Sequence, residues 1–410
     1  MGDFLHNVIQ VDFLVCLLAV APHPTRLVKE TKLLLATLVV ALLAFAGAWG
    51  LTGLVRRLIL SRARPGEAGA SSSLLDVPNH RSSHKAATPR GGGIAIVLAF
   101  LLSFGWLTLT EAVPLRIAIG LAGSISMVAL IGFLDDWGLS LNARKRLVVH
   151  FAAAALLLVS IGGVPPFVAL GKTVDLGWFA NVLAAVYLVW MVNLFNFMDG
   201  IDGIAAVEAI TVSLAGALVW FVATGSPHWV VPVIFAAAVA GFLCWNLPPA
   251  KIFMGDAGSC LLGMTLGGFA LWAGIEAPHL FWSWSILLGC FAVDATTTLL
   301  RRLIRGKRFD EAHCSHAYQF AARKWQSHKR VTYTYALVNI LWLFPVASLV
   351  AMRSLDGVEG LVIAYAPLVW LAFKFNAGAP ELQEEDAALR TSAAQSERQG
   401  LRATAETDGA

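Results

Sequence analysis

The chain has 410 residues, 58% of them hydrophobic and only 14% charged, with a mean hydropathy of +0.71. A soluble domain is nearer to half apolar and a quarter charged, so the composition excludes an ordinary soluble protein and predicts a polytopic membrane protein. The net charge of +4 is unevenly placed: from Asn376 onward seven acids stand against three arginines, leaving −4 in the tail and +8 in the rest.

In chain order, residues 1–32 form an uncertain N-terminal segment. Phe4–Ala21 is moderately apolar but interrupted by His6, Asn7, Gln10 and Asp12, with no charged leader before it. From Leu33 onward eleven apolar segments are long enough to be candidate spans: 33–55, 91–110, 115–134, 147–163, 179–197, 204–224, 230–247, 258–274, 281–300, 332–352 and 359–376. Residues 33–376 are therefore expected to form one all-α transmembrane domain of about eleven helices, followed by an acidic, disordered cytoplasmic tail over 377–410. The five cysteines have no CxxC spacing and fall mostly in or beside apolar runs, so they read as packing residues.

Lysines and arginines cluster in the loops 56–90, 135–146, 248–257 and 301–331, and the alternate loops hold few. The positive-inside rule makes the basic set cytoplasmic. Arg26, Lys29 and Lys32 disagree, because they precede the first span on the other side. With that orientation the polar clusters of the chain all fall at one membrane face.

Five clusters carry chemistry. The loop Arg81-Ser-Ser-His84-Lys85-Ala-Ala-Thr88-Pro89-Arg90-Gly91-Gly92-Gly93 mixes cations, hydroxyls and glycines, which suits a phosphate or, equally, an anionic lipid surface. Asp135-Asp136 closes a span. Acids at a helix C-terminus oppose the macrodipole, so a positive partner is expected. In Asn193-Leu-Phe-Asn196-Phe-Met-Asp199-Gly-Ile-Asp202-Gly203, the residues Asn196, Asp199 and Asp202 are three apart and are expected to share one helical face. A carboxylate in lipid costs roughly 2.5–3.5 kcal/mol, so two together call for a cation. Phe253-Met-Gly-Asp256-Ala-Gly258-Ser259 puts Asp256 at the N-terminus of the next span, either as a cap or as a metal ligand beside a phosphate-favouring helix end. His313-Cys-Ser-His316-Ala-Tyr318-Gln319 follows Arg301, Arg302, Arg305, Lys307 and Arg308, a setting that suits phosphate better than zinc. Asp294 is a further acid inside an apolar run, open to a functional role or to pairing with Arg301 or Arg302, and Glu208 is isolated. Acids together with cations on one face point to Mg²⁺ and a phosphorylated substrate, and the membrane setting points to a lipid co-substrate.

These blocks, in this order over roughly 70–376, resemble the bacterial polyprenyl-phosphate N-acetylhexosamine-1-phosphate transferases, a family that includes the peptidoglycan translocase as a cousin. The pair Asn196-x-x-Asp199-Gly-x-Asp202-Gly203 and Met254-Gly-Asp256-x-Gly-Ser259 is the specific part. The resemblance implies transfer of N-acetylhexosamine 1-phosphate from a UDP-sugar to undecaprenyl phosphate with release of UMP. It implies Mg²⁺, with Mn²⁺ as a substitute, at a site on the cytoplasmic face of the bacterial inner membrane. It makes Asp135, Asp136 and Asp256 catalytic, Asp256 and Asp199 metal ligands, and Lys85, Thr88, Asn196, Asp199, Asp202, His313 and His316 substrate contacts. The implied partners are a UDP-N-acetylhexosamine and undecaprenyl phosphate, with a homodimer allowed and no nucleic acid. Val77 stands where many members carry a basic residue, and Cys314 and Ser315 separate histidines that are consecutive in the translocase. The His-x-x-His-Ala-Tyr-Gln pattern is more similar to the O-antigen-initiating branch. A prenyltransferase of the UbiA type would need a second Asp-x-x-x-Asp motif. An ion-coupled transporter would spread its acids over both faces.

Overall fold

The computed structural model describes residues 24–62, 74–76, 87–139, 141–308 and 313–380, with side chains from Lys32 onward in the first helix and its neighbour Thr31. The described chain is helical apart from two short antiparallel strand pairs. One joins β1 (Leu75–Asp76) to β2 (Thr88–Pro89), and the other joins β3 (Phe167–Ala169) to β4 (Lys172–Val174). The helices are α1 (Pro24–Arg62), α2 (Gly93–Leu109), α3 (Leu115–Leu134), α4 (Ala143–Ile161), α5 (Trp178–Met198), α6 (Ile204–Thr224) and α7 (Val230–Asn246). They continue as α8 (Asp256–Glu276), α9 (Pro278–Leu287), α10 (Gly289–Ile304), α11 (Ala317–Trp325), α12 (His328–Val338), α13 (Phe344–Ala351) and α14 (Gly357–Lys374).

Each of the eleven expected segments lies on helix. By length and apolarity, eight described helical segments qualify as spans, or nine if α9 and α10, bent by 70°, count as one. Two expected spans fall short of that test: α2 is short, and α4 opens on Arg144, Lys145 and Arg146. The first helix starts at Pro24, nine residues before the expected 33. Both uncertain termini, residues 1–23 and 381–410, lie outside the described residues.

The bundle is built around α8. Within its spanning window 94% of residues are buried, against 67% or less in every other candidate span. Its sequence carries Gly258, Gly263, Gly267, Gly268 and Gly274, and small residues let neighbouring backbones approach where lipid supplies no hydrophobic drive. The helices α3 and α5 pack along it, and α10 lies against α5 and α14. Lipid-facing side chains such as Leu102, Leu130, Val159 and Leu341 are exposed because apolar surface is soluble there.

Residues 377–380 correct the expected start of the tail. Arg301 Nη1 donates to the Ala377 carbonyl at 2.5 Å and Arg305 Nη1 to that of Gly378 at 2.8 Å, while Gly378 N–H donates to the Ser315 carbonyl at 2.7 Å. The chain is thus tied to the histidine loop past the point where a loose tail was expected.

Candidate functional site

Where the N-termini of α2 and α8 meet the C-termini of α3 and α5, three acids and two arginines close into one cluster, with a fourth acid at its edge. The helix α3 runs into a widened π turn, Asp135–Leu139, which Gly138 ends at φ +92°. Such turns are rare and concentrate at functional sites. The Asp136 side chain is fully enclosed. Its Oδ1 accepts the N–H of Asp256 at 3.0 Å and its Oδ2 that of Ala257 at 3.2 Å. It therefore caps α8 from another helix, at the positive end of the dipole. Gly255, at φ +78°, makes this approach feasible, since a Cβ there would lie 2.5 Å from Asp136 Oδ2.

Two guanidiniums complete the centre. Arg90 places Nε 3.0 Å from Asp136 Oδ1 and Nη2 2.6 Å from Asp256 Oδ1. Arg146 places Nη1 2.8 Å from Asp135 Oδ2 and Nη2 3.1 Å from Asp256 Oδ2. Asp256 is thus gripped on both oxygens. Arg90 is fixed by backbone: its N–H donates to Leu74 O at 2.8 Å, Phe253 N–H to Pro89 O at 2.8 Å and Gly92 N–H to Phe253 O at 2.9 Å. Its side chain keeps 41% exposure, the open side of the cluster.

Asp199 caps the end of α5 at φ −88°, ψ 50°. Burial pushes its carboxyl well above the usual range, Arg90 opposes that, and Asp256, Asp136 and Asp202 push it further up. No hydrogen bond or ion pair to the Asp199 side chain forms among the described residues. With Asp199 ionised, four carboxylates (Asp135, Asp136, Asp199, Asp256) face two guanidiniums among the described residues, a deficit of two positive charges that a further cation would reduce. An all-oxygen donor set with that deficit fits Mg²⁺. Among the described residues no three His, Cys, Asp or Glu side chains enclose a metal by themselves. An ion held by one or two carboxylates and completed by substrate oxygens is the arrangement Mg²⁺ ordinarily takes.

The shared face expected of Asn196, Asp199 and Asp202 does not form. The helix stops at Met198, so i,i+3 spacing no longer keeps the three together. Asn196 Nδ2 donates to Ser259 Oγ on α8 at 3.1 Å, which joins it to the Asp256 helix. Asp202 is a buried latch: its Oδ2 accepts Ala250 N–H at 3.1 Å, its Oδ1 lies 3.5 Å from His328 Nδ1, and its carbonyl accepts the Thr332 hydroxyl at 2.9 Å. Thr88 is buried on β2 beside Arg90, and Lys85 lies outside the described residues.

The histidine loop docks on the same stretch from the other side. The His316 ring stacks on Phe197 with centroids 6.5 Å apart and lies 4.9 Å from the His313 ring. Tyr318 Oη donates to the Phe197 carbonyl at 3.1 Å, and at Gly200 a Cβ would come within 2.1 Å of that oxygen. Burial pushes the His313 imidazole down to about 3, with His316 and Arg302 adding to the fall and Asp294 opposing it. Asp294 anchors the loop. Its Oδ1 accepts Ala317 N–H at 2.8 Å and its Oδ2 accepts Tyr318 N–H and the Tyr335 hydroxyl, each at 3.0 Å. Pairing with Arg301 is not made, because Arg301 holds Ala377. The upstream arginines Arg301 and Arg305 each also give one donor to the 377–378 backbone, a partner the sequence did not suggest.

Arg146 went unseen as a site residue, although it stands in the basic loop after Asp135-Asp136. A cation eleven residues beyond an acid pair that needs one was the available signal. Tyr335 and His328 had no signal of that kind.

The fold and cluster define an integral membrane enzyme with a carboxylate–guanidinium centre at one end of its bundle. Residues 118–274 match glycosyl transferase family 4. The chain is 31% identical over 281 residues to a phospho-N-acetylmuramoyl-pentapeptide-transferase of Moorella thermoacetica, covering 63% of this chain and 83% of that one. A phospho-N-acetylmuramoyl-pentapeptide-transferase of Petrotoga mobilis is 30% identical over 274 residues, covering 63% and 83%. A probable undecaprenyl-phosphate N-acetylglucosaminyl 1-phosphate transferase of Bacillus subtilis is 26% identical over 277 residues, covering 65% and 75%. The chain belongs to glycosyl transferase family 4, and the prenyltransferase and transporter readings fall away.

Proposed function

We propose that this protein transfers N-acetylhexosamine 1-phosphate from a UDP-sugar to undecaprenyl phosphate, releasing UMP, and so initiates a lipid-linked cell-envelope polysaccharide such as O-antigen. The observation that carries the reading is Asp256: it heads the most enclosed helix, lies between Arg90 and Arg146, and belongs to a cluster short of two positive charges. The basic loops at this end of the bundle support a site on the cytoplasmic face of the inner membrane. The named activities of the relatives support the undecaprenyl acceptor and the phosphosugar. The separated His313 and His316 favour an N-acetylhexosamine over the muramoyl-pentapeptide donor.

In this reading Asp256 and Asp199 would hold Mg²⁺, which would supply positive charge to the diphosphate of the donor. Arg90 and Arg146 supply fixed positive charge toward which phosphate oxygens are drawn, and guanidinium suits them bidentately. Asp135, tied to Arg146, orients the acceptor phosphate. That phosphate is already mostly dianionic near pH 7, its second pKa being about 6, so it needs positioning more than proton removal. Thr88 and Asn196 take the nucleotide side and His313 and His316 the sugar side, and Lys85 keeps the substrate role that the resemblance implies. A neutral His313 accepts a hydrogen bond at Nδ1, as it does from the Ser315 backbone N–H at 3.4 Å.

Purified protein should move radiolabel from a UDP-N-acetylhexosamine into lipid in the presence of Mg²⁺, and Asp256→Asn should lower turnover by at least about 10³-fold. Wild-type turnover by Asp256→Asn across a Mg²⁺ titration would remove Asp256 from the reaction. A donor panel that includes UDP-N-acetylmuramoyl-pentapeptide decides the sugar. Lipid product from that donor alone would replace this substrate assignment.

A further inference from the structure

A second charged feature lies at the same end of the bundle, on the seam between α1 and α7, and no step above uses it. Trp245, one residue before the end of α7, lays its indole against α1 at Gly53, where a Cβ would come within 2.9 Å of the ring. The ring is held by its own N–H, which donates to the Trp49 carbonyl at 3.0 Å, and by the Trp49 ring at 5.9 Å. Over this one indole stand two cations. The Arg56 guanidinium carbon is 5.9 Å from the ring centroid and Lys251 Nζ is 5.8 Å away. Arg56 Nε also donates to the Lys251 carbonyl at 3.2 Å, which keeps the two residues together.

Bringing two like charges to one ring costs energy, and cation–π attraction at an exposed site is weak. Among the described residues neither cation has a carboxylate within ion-pair range. The arrangement therefore lacks an anion. What surrounds it says which kind. Leu54, Leu58, Leu247 and Trp49 are exposed on the flanks, and tryptophan at a helix end marks headgroup depth. An anion that also satisfies these apolar flanks has hydrocarbon attached.

We propose that Arg56 and Lys251, mounted on Trp245, bind the headgroup phosphate of an anionic membrane phospholipid. The acyl chains lie along the exposed leucines of α1. The site is distinct from the Asp256 cluster, although Lys251 stands in the same loop, five residues before Asp256. Anionic lipid adds about a five-fold gain in affinity for each cation near the surface, so two give roughly thirty-fold.

The test is native mass spectrometry of the full-length protein in a neutral detergent, titrated with phosphatidylglycerol and, separately, with phosphatidylcholine. Wild type should retain phosphatidylglycerol roughly thirty-fold better, and the double variant Arg56→Gln/Lys251→Gln should lose most of that preference. Arg57→Gln, on the same helix but away from the indole, should keep it. Arg56→Lys should also largely keep it, which separates loss of charge from loss of fold. Equal retention of the two lipids by wild type would overturn the proposal. So would equal losses in Arg57→Gln and the double variant, which would mean diffuse surface charge. Full displacement of phosphatidylglycerol by millimolar inorganic phosphate would assign the site to a free anion and likewise overturn the lipid.

Discussion

Two helices of this protein begin against a carboxylate that another helix brings to them. Asp136, past the end of α3, takes the first N–H groups of α8, and Asp294, inside α10, takes the first N–H groups of α11. The device is the same, since an anion satisfies orphan donors and meets the positive end of the helix dipole. The surroundings differ. Asp136 is bridged by Arg90 to a second carboxylate on a half-open edge. Asp294 is met by the hydroxyls of Thr298 and Tyr335 and by His316 Nδ1 at 3.5 Å, all buried or half-buried. One cap is wired into a charged centre and the other fixes a loop, so the chemistry of the two acids follows from their neighbours and not from the cap.

The contrast can be broken by substitution. Asp136→Asn keeps the side-chain volume but removes the charge that Arg90 meets, and turnover in the lipid-transfer assay should fall by about 10²-fold with a modest change in melting temperature. Asp294→Ala should do the reverse. It leaves two buried N–H groups without their anion, so stability should fall by about 3–5 kcal/mol while turnover of the protein that stays folded falls by only about ten-fold. Denaturation in detergent read alongside transfer separates these outcomes, and equal activity losses in the two variants would erase the distinction drawn between them. Tyr335→Phe removes one neutral donor from Asp294 and should cost about 1 kcal/mol, with transfer nearly unchanged.

The smallest effect concerns pH. His313 is held near 3 when folded, against an ordinary value of 6.5, so below 6.5 the unfolded loop gains a proton that the folded one refuses. Stability of the loop should therefore fall as pH drops from about 6.5, and partial exposure of His313 keeps the effect small. Hydrogen exchange over 313–320 at pH 7 and pH 5 should show faster opening at pH 5, and His313→Gln should flatten that difference.

Much of the fold could be read from the chain because lipid leaves few choices: a long apolar run must be helix. The motif spacing around Asp199 and Asp256 was equally legible, and Asp256 does head its helix beside the partner expected for the acid pair. What failed was finer. Reading Asn196, Asp199 and Asp202 as one face assumed that the helix continued, although Gly200 and Gly203 stand in the way. The backbone partners of Arg301 and Arg305 were not legible because a basic run looks alike whether or not it meets carbonyls far along the chain. Arg146 and Tyr335 become visible only when α4 and α12 are folded against Asp135 and Asp294.

The enclosure of α8 has a mechanical corollary. Asp256 tops a pillar walled in along nearly its whole length, so it cannot travel without the bundle moving with it. Arg90 follows directly on a two-residue strand, and His313 and His316 stand in the loop that leads into a nine-residue helix. The centre thus has a stationary anvil, faced by groups that are carried on much shorter elements and held there by hydrogen bonds.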